Sequence, residues 1–341
     1  MKRLGFASLS ALFCLASATS VFAQAQPSAS EKCNEKVRLS MAKPEDMKLF
    51  DDFINDSTCK DSMYRETVFN TTFQKYIAAM KWKEVYDLAN RYEKEVNPKT
   101  DQLKKFFAQY GLTAASQLGD INMILDMGEK VLVIDPTDLN ALVILIGALP
   151  EKYPTLTDQA AKDKNLARSE ELAKKILGMK MPDGLTDPVW QQSVIGPAHA
   201  VLGFVALQRQ QYPDASGEYE KAVKINPKDQ VSWFRGGLAR IFIATAAQKP
   251  LKDLYDNANA ITTPGPERDA ADQKRDAGVK EYTDKRDLAM DWLATATAMG
   301  GPVGDAAKKQ LELLWKPAHN DTTEGMDDFI AKHKDYKIPS Q

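Results

Sequence analysis

Few residues in this chain are of types that could do chemistry. There are three histidines, His199, His319 and His333, and three cysteines, Cys14, Cys33 and Cys59. His319 and His333 flank four acids, Asp321, Glu324, Asp327 and Asp328. Imidazole and carboxylate together could hold a divalent ion, but this spacing matches no ligand motif, and a solvated acidic cap is the competing reading. His199 stands in an apolar stretch and reads as a core residue. Cys33 and Cys59 have no histidine near them, so they lack the further ligands a metal site needs. Gly301-Pro302-Val303-Gly304 runs into Asp305, not into Lys and Ser or Thr, so it is no phosphate-cradling loop. No G-x-S-x-G, H-E-x-x-H or dinucleotide fingerprint occurs. The expectation is a non-enzymatic protein with no catalytic residue, no metal and no cofactor.

The totals restrict the partners. Over 341 residues the formal charge is −2, with 43% hydrophobic and 27% charged residues. No excess of cations awaits a polyanion, so nucleic acid is not an expected partner. Lys2 and Arg3 precede an apolar run from Leu4 to Val21, and Val21-Phe22-Ala23 offers a small-x-Ala cleavage site before Gln24. This reads as a secretory signal peptide over residues 1–23, cleaved near Ala23 and sending the chain to the periplasm or outside the cell. A membrane anchor is the weaker reading, because the run is short and interrupted by serine. The mature chain is therefore expected to have no stable membrane span. Ala11-Leu12-Phe13 before Cys14 puts a bulky residue where a lipidation signal needs a small one. In an exported chain the remaining pair, Cys33 and Cys59, suggests a disulfide, with two free buried thiols as the alternative.

The elements that would position these residues are helical throughout, since no run of alternating β-branched residues appears. Residues 24–43 read as a partly disordered leader. Pro44 to Ile54 reads as a helix with Met47, Phe50, Phe53 and Ile54 on one face. Helices are then expected over Met63–Met80, Trp82–Val96, Leu103–Gln117, Ile121–Ile134, Leu139–Leu149 and Asp158–Leu177. The Leu139 helix is apolar almost all round, but too short for a bilayer, which takes about 20 residues. A long connection, Pro150 to Leu156, follows it. Residues 44–178 thus form a degenerate set of helical repeats. Residues 179–197 form a loop and the start of a helix that kinks at Gly196-Pro197. Residues 198–249 carry the most regular units, 250–287 a polar insertion, and 288–341 a last repeat with capping helices. Asn97-Pro98, Asp135-Pro136 and Asn226-Pro227 end three helices in the same way.

The stretch from His199 to Gly237 holds the clearest pattern. Gly203 lies four residues after His199, and Gly237 four after Trp233. Ala215, Tyr219 and Ala222 form an i, i+4, i+7 stripe, and Pro227 ends the helix that carries them. This resembles a tetratricopeptide repeat, a helix–turn–helix unit of ~34 residues. The resemblance implies an all-α fold, a right-handed α-solenoid of such units with irregular insertions. It further implies that the first helix of each unit lines a concave groove. Aligned on that pattern, Val201, Phe204 and Gln208 would face the groove with Ala200, followed by Phe234, Arg235, Leu238 and Ile241. The Asn and Lys that clamp a peptide carboxylate in some members are absent from the matched positions. The expected function is a periplasmic scaffold that binds a protein or peptide partner in the cell envelope through this surface. The alternative is an envelope carrier or processing factor, with a small-molecule or polymer ligand in a pocket made by the loop and the insertion. Oligomeric state, and whether the insertion covers the groove, stay open at this level.

Overall fold

Every regular element among the described residues is helical, as the lack of β-alternation predicts. The computed structural model describes residues 28–96, 100–336 and 338. The expected signal peptide with its cleavage site, Cys14, and the Asn97-Pro98 terminator lie outside them. The chain divides into two compact units, Met1–Lys75 and Tyr76–Gln341.

The first unit holds α1 (Ala29–Ala42), α2 (Met47–Ile54) and most of α3 (Arg65–Ala78). Helix α1 corrects the expectation of a partly disordered leader for residues 29–42. Ser28 and Glu31 form a reciprocal capping box at its start, and Cys33, Val37 and Ser40 turn inward at i, i+4 and i+7. Helix α2 starts three residues later than Pro44, because the Asp46 carboxylate accepts from the Lys48 amide at 3.1 Å and sets the cap there. Phe50, Phe53 and Ile54 are buried, as the sequence requires. Cys33 and Cys59 are joined by a disulfide with Cα atoms 5.5 Å apart, tying α1 to the 3-10 turn after α2.

The second unit continues with α4 (Trp82–Val96), α5 (Asp101–Leu118), α6 (Ile121–Ile134), α7 (Leu139–Lys152) and α8 (Gln159–Leu177). After a connection come α9 (Asp187–Trp190), α10 (Gly196–Gln208), α11 (Tyr212–Ile225) and α12 (Gln230–Gln248). The unit ends with α13 (Leu251–Ala260), α14 (Pro266–Ala298), α15 (Gly301–Ala318) and α16 (Met326–Lys332). Helices α4 to α8 each pack on the next, α10 on α7 and α8, α11 on α10 and α12, and α10 also on α12. That is the stacking order of a helical solenoid. The matching Pro-containing links have one mechanism. Asp135 and Asn226 accept from the amides of Thr137 and Lys228, at 2.9 and 3.1 Å, and close the turn. Three residues on, Asp138 and Asp229 cap the next helix through the amides of Ala141 and Ser232.

At both expected breaks the helix runs on. Before Pro197, Gln191–Ile195 is a π segment in which the Gly196 amide donates to the Gln191 carbonyl, and α9 runs through it into α10. A wide turn of this kind accommodates a residue that cannot donate to the ladder. The polar insertion likewise joins the last repeat with no interruption of the helix at 287. Helix α14 is continuous for 33 residues, its first part solvated and its last part in the core. No Pro or Gly separates Arg286 from Leu288. Lys280 pairs with Asp284 one turn on at 2.6 Å, and Lys285 with Glu281, which supports the exposed part. The last part packs on α12, and α15 packs on both. Helix α13 and the first part of α14 are therefore inserted between the two helices of one repeat.

Candidate functional site

Helices α10 and α12 lie side by side, as the repeat pattern requires, and the Arg235 guanidinium sits over the Phe204 ring at 5.1 Å. Phe204 itself is only 4% exposed and Val201 only 7%, so neither is an open groove position. This corrects the sequence assignment, and the cause is local. The long connection after α7 places Tyr153 edge-on to the Phe204 ring at 5.4 Å, and Leu166 of α8 and Val205 complete a small core. Phe234 and Ile241 are half-buried against the core around Trp233 and Trp292. Arg235 and Leu238 are half-exposed, and Gln208 is exposed at the end of α10.

Arg235, Leu238 and Phe242, at i, i+3 and i+7, form an accessible stripe on α12. Phe242 was missed in the sequence, although it lies eight residues after Phe234 in a helical register. It is 45% exposed and stacks on Tyr212 at 4.3 Å with the rings 14° apart. The pair opens a groove of about 720 Å³ that continues over Ile243, Ala246 and Leu254 to Gly278 of α14. Lys274, Glu281 and Lys285 supply its charges. The groove exists because the insertion carries α13 and α14 past the end of the repeat.

A second concavity, of about 860 Å³, lies on other residues of the same helices, between the end of α11, the start of α12, the end of α14 and the chain after α16. A partly buried polar cluster shares Tyr336 with it. Arg240 Nη2 donates to Glu220 at 3.0 Å, and its guanidinium covers Trp292 at 4.1 Å. Burial pushes the Arg240 pKa down, against the pull of Glu220. Burial would raise Glu220, but Lys224 and Arg240 outweigh it and hold its pKa below the ordinary value. Asp291 lies 2.9 Å from His333 Nε2 and accepts from the Tyr336 hydroxyl at 3.5 Å. Burial and then the Asp291 charge push the Tyr336 phenol up to about 12.

The histidines find uses other than metal binding. His199 is not an apolar core residue: its Nδ1 lies 2.7 Å from Glu218, joining α10 to α11. His319 stacks on Trp315 at 3.7 Å, with Nδ1 at 2.9 Å from the Trp315 carbonyl. Nδ1 of His333 lies 2.8 Å from the Phe329 carbonyl. Among the described residues no group of three His, Cys, Asp or Glu is placed to hold a metal ion. No described helix is long and apolar enough to cross a membrane.

No family model matches the chain, and no curated protein does. Among solved structures, the crystal structure of a tetratricopeptide repeat protein from Parabacteroides merdae ATCC 43184 is similar at 12% identity. The match covers 84% of this chain and 98% of that one, with a TM-score of 0.35. Likeness at that level bears on neither family nor function.

Proposed function

We propose that the chain is a non-enzymatic helical-repeat scaffold that holds a protein or peptide partner along the exposed stripe of α12. The observation that carries this reading is the exposed Phe242 ring, stacked on the half-buried Tyr212 at the head of a 720 Å³ groove. Aromatic residues presented beside an apolar groove, with a cation such as Arg235 nearby, are what binding hot spots are made of. A repeat scaffold adds many such small contributions along its length. We place the scaffold in the envelope of a bacterium after export. The Lys2-to-Ala23 sequence supports that placement, as does the Cys33–Cys59 bridge, which suits an oxidising compartment. The carrier alternative draws on the insertion residues in the same groove, but no residue of the Lys180–Pro197 connection lines it.

The test is site-specific photo-crosslinking in the envelope fraction. Probes at Gln208, Leu238 and Phe242 should capture a discrete protein, and a probe at Leu313, 68% exposed on α15, should not. Phe242→Asp with Arg235→Glu should abolish capture while the helical circular dichroism stays unchanged. Equal capture at all four positions would refute this surface.

A further inference from the structure

We infer that the 860 Å³ pocket beside Trp233 is a binding site for an anionic amphiphile, an aliphatic chain carrying a carboxylate or similar head group. Its volume falls in the range of small-molecule sites, roughly 300–1,000 Å³, and so does its make-up, an apolar body with a few convergent polar groups. Val223, Pro227, Trp233, Met299 and Ile338 provide the apolar walls. The walls are set before any ligand arrives. The Trp233 indole N–H donates to the Pro227 carbonyl at 2.9 Å, and its ring lies 4.6 Å from Trp292. The Gln230 amide donates to the carbonyls of Ala296 and Gly300, at 2.8 and 2.6 Å, and locks the start of α12 to the end of α14. The fourth side is the chain's own Tyr336, 6.0 Å from Trp233 and anchored by Asp291.

The charged lining selects the ligand. It consists of Lys224, Lys228 and Lys334 against Asp335 alone. Lys224 is engaged by Glu220 at 2.7 Å. Lys228 and Lys334 are exposed, and no side-chain ion pair is recorded for either among the described residues. An apolar interior with an excess of uncommitted ammonium groups complements an anion with an apolar tail. A lysine reads charge and imposes no planar geometry, so the head group is specified by its sign. None of these residues belongs to the α12 stripe assigned to the protein partner.

Dodecanoate, titrated calorimetrically into the full chain below its micelle concentration, tests the site. One saturable site is expected, and dodecyltrimethylammonium, with an apolar chain of the same length and the opposite charge, should not fill it. Lys228→Glu with Lys334→Glu should weaken dodecanoate by at least about tenfold. Ala298→Trp, which fills the pocket, should abolish binding. No saturable binding, equal binding of the cation, or binding untouched by the charge reversal would overturn the assignment. Retained binding in a folded Ala298→Trp variant would place the site elsewhere and overturn it too. Should Ala298→Trp fail to fold, the charge reversal and the cation comparison decide, since both lysines are exposed.

Discussion

Phe204 and Phe242 are both aromatic residues on first helices of neighbouring repeats, yet they stand in opposite environments. Phe204 is enclosed by Tyr153, Leu166 and Val205 under the Arg235 guanidinium, whereas Phe242 faces solvent on Tyr212. Removing a buried phenylalanine costs its transfer free energy and leaves a cavity. Phe204→Ala should therefore lower stability by about 3–5 kcal/mol in urea unfolding. Phe242→Ala should lower it by no more than about 1.5 kcal/mol, the worth of its stacking on Tyr212. Comparable losses at the two sites would show that Phe242 is core and would remove the proposed docking ring. Asp135 makes a smaller contribution that depends on pH. Lys105 donates to its carboxylate, and the hydroxyl and amide of Thr137 add to this, holding its pKa at about 2 in the folded chain against an ordinary 3.8. A carboxylate with a depressed pKa contributes stability that is fully present above its unfolded value and is lost as pH falls through the folded one. Asp135→Asn should therefore flatten the stability profile between 3.8 and about 2. At neutral pH it should cost no more than about 1 kcal/mol, because both partners remain near the surface. An unchanged acid limb would show that the pair holds nothing in solution.

Among the elements, α12 lies against α14 where glycine leaves room for a ring. A Cβ on Gly236 would lie 2.2 Å from the Trp292 ring and 3.1 Å from Tyr219 Cβ. Gly203 repeats the device one unit earlier, where a Cβ would lie 3.0 Å from the Tyr219 ring. Both rings are fully enclosed and have no room to move aside. Gly236→Ala should cost about 1–3 kcal/mol from overpacking, seen as a lower urea midpoint with the slope unchanged. An unaltered midpoint would mean that the helices part freely, against the close packing described. Gly203 was legible in the sequence, together with Gly237, because their spacing recurs; Gly236 was not. The insertion was only half legible. Its charged residues announce a solvated helix, but nothing local says that this helix runs on into the core helix at Leu288.

The two units should answer differently to reduction. The Cys33–Cys59 bridge closes a loop across a sequence separation of 26 within the first unit, and such a closure contributes about 3 kcal/mol in the chain-entropy model. Scanning calorimetry with dithiothreitol, or with Cys33→Ser and Cys59→Ser, should lower the transition of α1 to α3 and leave that of the repeats in place. One transition that moves as a whole would mean the units unfold together.

What the sequence determined by itself is local. Helix starts at Trp82, Ile121 and Leu139, and ends at Val96, Ile134 and Leu177, agree with the structure because proline, aspartate caps and apolar periodicity act over a few residues. The pairing of Cys33 with Cys59 was likewise open to reading from their number and setting. Which aromatic side chains face solvent was decided only by the tertiary structure. Phe204 is covered by Tyr153, 51 residues earlier in the chain, and Trp233 gains its pocket from Tyr336, more than 100 residues later. Burial is set by whatever packs from a distance, and no spacing along the chain records that.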